Sequence, residues 1–305
     1  MRIYRYLLLL APLAGIVFLT GALRNPLSAP TEAPLLPDEF ARLLDAPTDA
    51  EAVAAVGRAL ADLADPARPW LQTGVKIRSR IPELLFRGEG TFSRASGQRF
   101  RLEVRTRMDD PEMARAEATF FALSDGHDLW QATRNSKQEW RDVQRLRLGD
   151  IYRAADGPPR LAGVRARLLA GPGIRGPEQM LRSLGQNTAW VRVRARGEDR
   201  EVVGVWHPVV KAAILANYHQ WPVALPRLYR LTLSGPQHWP SRLEWWGPSA
   251  TDGPDRLLAE VEYAAPVRDQ PLTEEECSRL FAFAPGKATV VDKTDEVRSQ
   301  VDPRP

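Results

Sequence analysis

The stretch Arg242–Tyr263, RLEWWGPSATDGPDRLLAEVEY, decides how the chain is read. Two adjacent tryptophans, Trp245 and Trp246, precede a loop of turn formers and a second apolar run. Neighbouring residues on a strand point to opposite faces. If one tryptophan faces a core, the other needs separate cover. Laid out as a hairpin in its simplest register, Leu243 and Trp245 share a face with Leu257, Ala259, Val261 and Tyr263. Arg242, Glu244 and Trp246 share the other with Glu260 and Glu262. That register predicts Trp246 as a rim aromatic under arginine stems. Trp130, Trp190, Trp206, Trp221 and Trp239 also lie in or beside predicted strands. An aromatic face of this kind forms either a filled core or a cavity for an apolar ligand.

Upstream, the same period of two governs most of the chain. VKIRSRI alternates Val75, Ile77, Ser79 and Ile81 with Lys76, Arg78 and Arg80. GEGTFSRASGQRFRLEVRTRM reads as strand, Ser-Gly turn and strand, with Phe100, Leu102, Val104 and Met108 on one face. Strict alternation indicates antiparallel strands with one face against a core. ATFFALSDGHDLWQATR gives another hairpin, turning at Asp125-Gly126, and QEWRDVQRL a further strand. AWVRVRARGEDREVVGVWH, RLYRLTLSG, SRLEWWG and RLLAEVEY continue the pattern after residue 185. The count is about eight to ten strands, mostly hairpin-linked.

Helices are predicted at the ends and in the middle. Thr48 and Glu51 make a capping box ahead of an apolar stripe at Val53, Val56, Leu60 and Leu63. Asp150–Gly185 is rich in Gly and Pro, with short helices predicted around Leu161–Leu169 and Pro177–Leu184. VVKAAILANY reads as a helix, and Thr273 with Glu276 caps a last one. The fold class is therefore α+β: a strongly curved antiparallel sheet, an incomplete barrel, with helices covering one face.

The first residues frame where such a domain works. Arg2 and Arg5 precede an uncharged run, Leu7–Leu23, and Arg24 follows it. A basic start and an apolar run predict export, with residues 1–24 either a cleaved signal peptide or a retained anchor. The body then faces the periplasm, free or membrane-attached. Residues 25–69 are read as a proline-rich tether plus helix, 70–285 as the half-barrel domain with an insert at about 150–185, and 286–305 as a flexible tail.

The chain has 305 residues, 44% hydrophobic and 26% charged, and a net charge of +4. Its basic residues are almost all arginine, spread along the chain and mixed with acids, so no nucleic-acid interface is predicted. The single cysteine, Cys277, excludes an internal disulfide and a thiolate metal site. Beside Glu274, Glu275 and Glu276 it is a poor nucleophile. His127, His207, His219 and His238 form no metal-binding spacing. GxSxG and P-loop motifs are missing, and GPGIRGPEQ lacks the Lys-Ser/Thr of a phosphate cradle. No catalytic residue, metal site or cofactor is predicted.

Several motifs together resemble the LolA-like superfamily of outer-membrane lipoprotein carrier and sorting proteins, in its planctomycete-type exported form. GEGTFSRASGQRFRLEVRTR is similar to the family's early hairpin, and ALSDGHDLWQATR to its D-G-x-x-L-W hairpin. WPSRLEWWG through LLAEVEYAAPV to PLTEEECSRLFAFAPG resembles its closing strands and short helix. The resemblance covers roughly Trp70–Phe283. It implies an apolar half-barrel that receives acyl chains of lipid or lipoprotein, without catalysis. Leu102, Val104, Trp245, Val261 and Tyr263 are the candidate cavity residues. Relatives of the fold that bind signalling proteins imply the alternative, an anchored envelope protein with a protein partner.

Overall fold

The computed structural model describes residues 36–81, 84–108, 117–153, 176–218, 220–249, 253–268 and 272–301. The segment 1–24, the proline tether before residue 36 and the helix expected around Leu161–Leu169 lie outside them. A short helix α1 (Asp38–Ala41) and a longer α2 (Ala50–Leu63) lead into six strands: β1 (Leu71–Ile81), β2 (Leu84–Arg94), β3 (Phe100–Met108), β4 (Glu117–Ser124), β5 (Asp128–Arg134) and β6 (Trp140–Arg147). Helices α3 (Leu148–Arg153) and α4 (Pro177–Gly185) follow. Then come β7 (Thr188–Arg196), β8 (Asp199–Trp206), α5 (Pro208–Asn217), β9 (Leu228–Ser234), β10 (Trp239–Gly247) and β11 (Arg256–Tyr263). Helix α6 (Glu274–Leu280), β12 (Val290–Asp292) and α7 (Thr294–Val301) complete the described chain.

All twelve strands form one open sheet, ordered β12-β6-β5-β4-β3-β2-β1-β11-β10-β9-β8-β7. Pairing is antiparallel except between β12 and β6. Ten of the strands send side chains into a single apolar cluster that also holds Ala52, Ala55, Val56, Ala59 and Leu63 of α2 and Leu181 of α4. Ten strands laid flat would span roughly 45 Å, several times the width of one helix. The sheet therefore curls around α2 and α4, giving the expected incomplete barrel with helices on its inner face. Gly90 permits one part of that curl. A Cβ there would lie 1.9 Å from the Glu103 backbone oxygen of the paired strand β3.

Helix α2 is capped by Asp49 rather than by Thr48. The Asp49 carboxylate accepts from the N–H groups of Glu51 at 2.8 Å and Ala52 at 3.3 Å. Asp and Thr are both good caps, so the start shifts by one residue at little cost. At α6 the expected box forms: Thr273 Oγ1 accepts from the Glu276 N–H at 3.2 Å, and the Glu276 carboxylate accepts from the Thr273 N–H at 2.8 Å.

The β10–β11 hairpin contains a bulge. Trp245 pairs with Ala259 but Trp246 pairs with Leu257, so Leu258 is the extra residue. A bulge transfers every residue beyond it to the other face. Leu258 thus joins the inner cluster, while Leu257, expected inside, goes outside. Trp246 is not a rim residue. It is 3% exposed within a second, outer core with Leu36, Phe40, Ala189, Val191, Val203 and Leu257. The arginine expected over it is present, the Arg230 guanidinium lying 5.4 Å from the ring centroid.

Covering this outer core is the strap Leu36–Ala46. Its Leu36 N–H donates to the Asp255 carbonyl at 2.6 Å, and Phe40 lies under the guanidinium groups of Arg192 (4.8 Å) and Arg230 (5.5 Å). The polar positions of the same face pair across strands. Glu201 meets Arg194 at 3.2 Å and Arg196 at 3.1 Å. Glu244 meets Arg230 and, at 3.0 Å, Arg242, and accepts from Trp246 Nε1 at 2.9 Å. At the far end of the sheet, Phe283 fills an outer aromatic cluster with Phe121, Trp130 and Trp140.

Within the segment read as a tail, the described residues include β12 and α7. β12 adds to β6, the Lys293 N–H donates to the Arg145 carbonyl at 2.9 Å, and the Arg147 N–H donates to Thr294 Oγ1 at 2.9 Å. Hydrogen bonding from Thr294 holds the Asp292 carboxyl below its usual range. Three strand residues are too few to be recognised by alternation, so the charged composition dominated the sequence reading.

Two substitutions test this packing. Gly90→Ala forces β2 away from β3 and is expected to cost more than the about 1–3 kcal/mol of ordinary overpacking, measured by urea unfolding. Phe40→Ala is expected to cost about 3 kcal/mol and to release the strap, so limited proteolysis should then cut between Leu36 and Ala46 while the sheet survives.

Candidate functional site

All five candidate cavity residues lie on the inner face and in one cluster. Leu102 and Val104 come from β3, opposite Phe92 and Gly90 of β2. Val261 and Tyr263 come from β11, opposite Ile77 and Val75 of β1. Trp245 comes from β10, opposite Ala259. They do not converge on one point. β3 and β11 are three strand spacings apart, roughly 14 Å. None of the five exceeds 6% exposure, and each is packed against other apolar side chains.

Among the described residues, one opening on this face lies between α4 and the ends of β7, β8, β9 and β10. A cavity of about 30 Å³ is lined there by Met180, Ser183 and Leu184 of α4, Asn187, Thr188, Trp206, Tyr229 and Trp245. Of the five candidates, only Trp245 reaches it. The volume admits a water molecule and is about a tenth of the smallest ordinary ligand pockets. Sequence did carry a partial signal for the others. Met180 and Leu184 are spaced i, i+4 on a predicted helix, which puts them on one face, and Trp206 belongs to the tryptophan set of the strands.

The walls are aromatic and rigid on the sheet side. Trp206 and Tyr229 meet edge to face with centroids 5.5 Å apart, and Trp206 Nε1 donates to the Pro226 carbonyl at 2.5 Å. Burial pushes the Tyr229 and Tyr263 phenols well above their ordinary values, so both stay neutral. Among the residues that line the cavity there is no carboxylate, histidine, cysteine or lysine. Thr188 is 7% exposed, and its hydroxyl has no hydrogen-bond partner among the described residues.

The helix side is softer. α4 starts at Gly176, whose φ of 99° is left-handed and whose Cβ position lies 2.2 Å from the Phe92 ring. Only glycine combines that backbone with that contact. Glu178 in the first turn pairs with the half-buried Arg94 and with Arg182 at 2.9 Å. Burial lowers the Arg94 pKa and the Glu178 charge opposes that shift. The Tyr263 hydroxyl donates to Met180 Sδ at 3.8 Å. Leu181 is fully buried, while Met180 and Leu184 are flexible side chains packed on the edge of the core.

Residues singled out for chemistry are dispersed. His127 lies in the β4–β5 turn, His207 precedes α5 and His238 lies in the β9–β10 turn, while His219 is outside the described residues. Cys277 is buried beside Trp70, Ala95 and Phe281. Among the described residues no three His, Cys, Asp or Glu side chains are placed to hold a metal ion, and no helix is long and apolar enough to cross a membrane.

No family model and no curated protein sequence matches the chain. Two solved structures are similar in part. One is a domain assigned to outer membrane lipoprotein sorting from Vibrio parahaemolyticus, with a TM-score of 0.28 and 8% identity over 75% of this chain and 98% of that one. The other is a DUF1329 family protein from Desulfovibrio piger, with a TM-score of 0.31 and 7% identity over 76% of this chain and 99% of that one. The former belongs to the group that the hairpin motifs resemble. At such low overlap neither carries an argument about ligand or partner.

Replacing Thr188 by valine keeps the shape and removes a hydroxyl from the wall of the water-sized cavity. Thr188→Val is expected to shift stability by no more than about 1 kcal/mol in denaturant unfolding.

Proposed function

We propose that this chain is an exported, non-catalytic binding module that holds an acyl chain of a lipid or lipoprotein between the inner sheet face and α4. The observation that carries the reading is the cavity beside Trp245. It lies where fixed aromatic walls meet the two deformable side chains of α4, Met180 and Leu184. In this reading the described state is the closed one. A ligand enters by displacing α4 about Gly176, and Leu102, Val104, Val261 and Tyr263 extend the apolar floor that a longer chain covers. Affinity comes from apolar burial, at roughly 25 cal/mol per Å² before ordering costs. Export is supported by the basic start and the Leu7–Leu23 run.

A second reading follows from the tight burial of all five candidate residues. There the inner face is a filled core, and the half-barrel is an envelope scaffold that binds a protein partner.

Native mass spectrometry of protein purified from a bacterial envelope separates the two. The first reading expects a stoichiometric phospholipid or acylated peptide, and Leu184→Trp, which plugs the cavity without touching the sheet, is expected to weaken binding of cis-parinaric acid about tenfold or more. A clean apo mass together with no parinarate binding by the wild type overturns it in favour of the second.

A further inference from the structure

Helix α5, between β8 and β9, has its polarity inverted for a helix in water. Val210 and Ile214 pack on the core, and Ile214 is the one buried residue of the helix. At 3.6 residues per turn, the arc facing away from them comprises Pro208, Val209, Ala212, Leu215 and Ala216. No polar side chain lies on that arc, which on a solvated helix is the charged one. Val209 is 71% exposed and Leu215 48%. The surface continues through Tyr218 and Val223, both exposed, around Trp221.

Charge around this patch is compensated. From His207 to Arg227 the sequence contains no Asp or Glu and only two full cations, Lys211 and Arg227. Lys211 pairs with Asp45 of the strap, and Arg227 pairs with Asp255 at 3.0 Å. Covering the patch with hydrocarbon would therefore strand no lone charge.

The route of the chain says what lies opposite. Leu36, where the strap begins, donates its N–H to Asp255. Asp255 holds Arg227, whose guanidinium lies 6.0 Å from the Trp221 ring centroid. The strap therefore starts at the end of the molecule that carries α5. About twelve residues separate Leu36 from the apolar run Leu7–Leu23, at most roughly 40 Å when extended. A bilayer that holds that run is within reach of α5.

We propose that α5 and the turn after it form a membrane-contact surface. Val209 and Leu215 enter the acyl boundary of a phospholipid bilayer, and Tyr218 and Trp221 sit at head-group level. The contact rests on apolar burial, so salt leaves it intact. It goes beyond the ligand reading and stands even if the cavity never opens, although His207 directly follows the cavity residue Trp206 and so places the surface at the cavity's edge.

The test uses the full chain with Cys277→Ser, carrying a nitrobenzoxadiazole label on Val209→Cys or, as a control, on Lys137→Cys. Lys137 is exposed on the β5–β6 turn, towards the opposite edge of the sheet. Each is added to phosphatidylcholine vesicles containing about 30% phosphatidylglycerol. With the chain sedimenting on vesicles, the Val209 label is expected to shift to the blue, to be quenched by doxyl-labelled lipid and to hold its signal in high salt. The Lys137 label stays in water. Leu215→Asp, at an exposed site that does not threaten folding, is expected to cut the Val209 signal about fivefold. A Val209 label that keeps its aqueous emission on a vesicle-bound chain overturns the proposal. So does a blue shift that appears without vesicles and grows with protein concentration, which would assign the face to a second copy.

Discussion

The sheet is apolar on both faces along β7–β11, and the rest of the molecule is arranged to cover those faces. The Trp245–Trp246 pair is where the requirement is most acute, because strand alternation sends one large indole inward and the next outward. Each indole, left in water, would forfeit the burial of about 150–250 Å². The inward one is covered by curling the sheet around α2 and α4. The outward one is covered by the strap, which is why a segment just after the proline tether belongs to the fold and inserts Phe40 beneath two arginines.

That double cover determines where charge can go. Glu201 and Glu244 sit on the outer face close to the strap, at 4% and 2% exposure. Carboxylates buried to this degree are tolerated only when charge and hydrogen bonds meet them from several sides. Arginines of β7, β9 and β10 supply those partners. The arginine bias is an ordinary compositional feature at the sequence level. In the fold it becomes a lattice of guanidinium groups that pair laterally and stack on Phe40, Trp130, Trp140 and Trp246.

Alternation made the sheet legible because every long strand has one face against the core. The hairpin order and the inner position of Trp245, Val261 and Tyr263 all follow from period two. The same logic misplaced Leu257, because a bulge leaves no local signature: the register slips by one residue within an otherwise regular pattern. It put Trp246 on the correct face but left it at a rim, because the strap that buries it comes from about 200 residues away in sequence. β12, inside the segment read as a tail, was not legible for a related reason. β12 is stabilised by its partner β6 and by Thr294 across about 150 residues of sequence, a long-range effect that composition does not encode. As for the candidate site, the face was readable and the spot was not. Which point on a ten-strand surface stays unfilled depends on where α4 docks, and that is fixed by Arg94, Phe92 and Tyr263, far away in sequence.

A nearly closed cavity is compatible with acyl binding if the energies of opening and filling differ in the right sense. Lifting α4 exposes Leu181 and parts of Met180 and Leu184, at about 1.5–3 kcal/mol for a fully buried aliphatic side chain and less for the other two. It also separates Glu178 from Arg94, a largely buried pair, which adds to the cost of opening. An acyl chain gains about 0.8 kcal/mol for each methylene it buries, so roughly ten methylenes supply about 8 kcal/mol before ordering costs. The opening cost then lowers the apparent affinity by the fraction of molecules already open, without reversing the sign. A short or branched ligand that buries only three or four methylenes would not cover that cost. On the proposed reading a closed lid would act as a length filter: the balance between α4 and the chain it replaces, rather than any single polar contact, would set which ligands the half-barrel accepts.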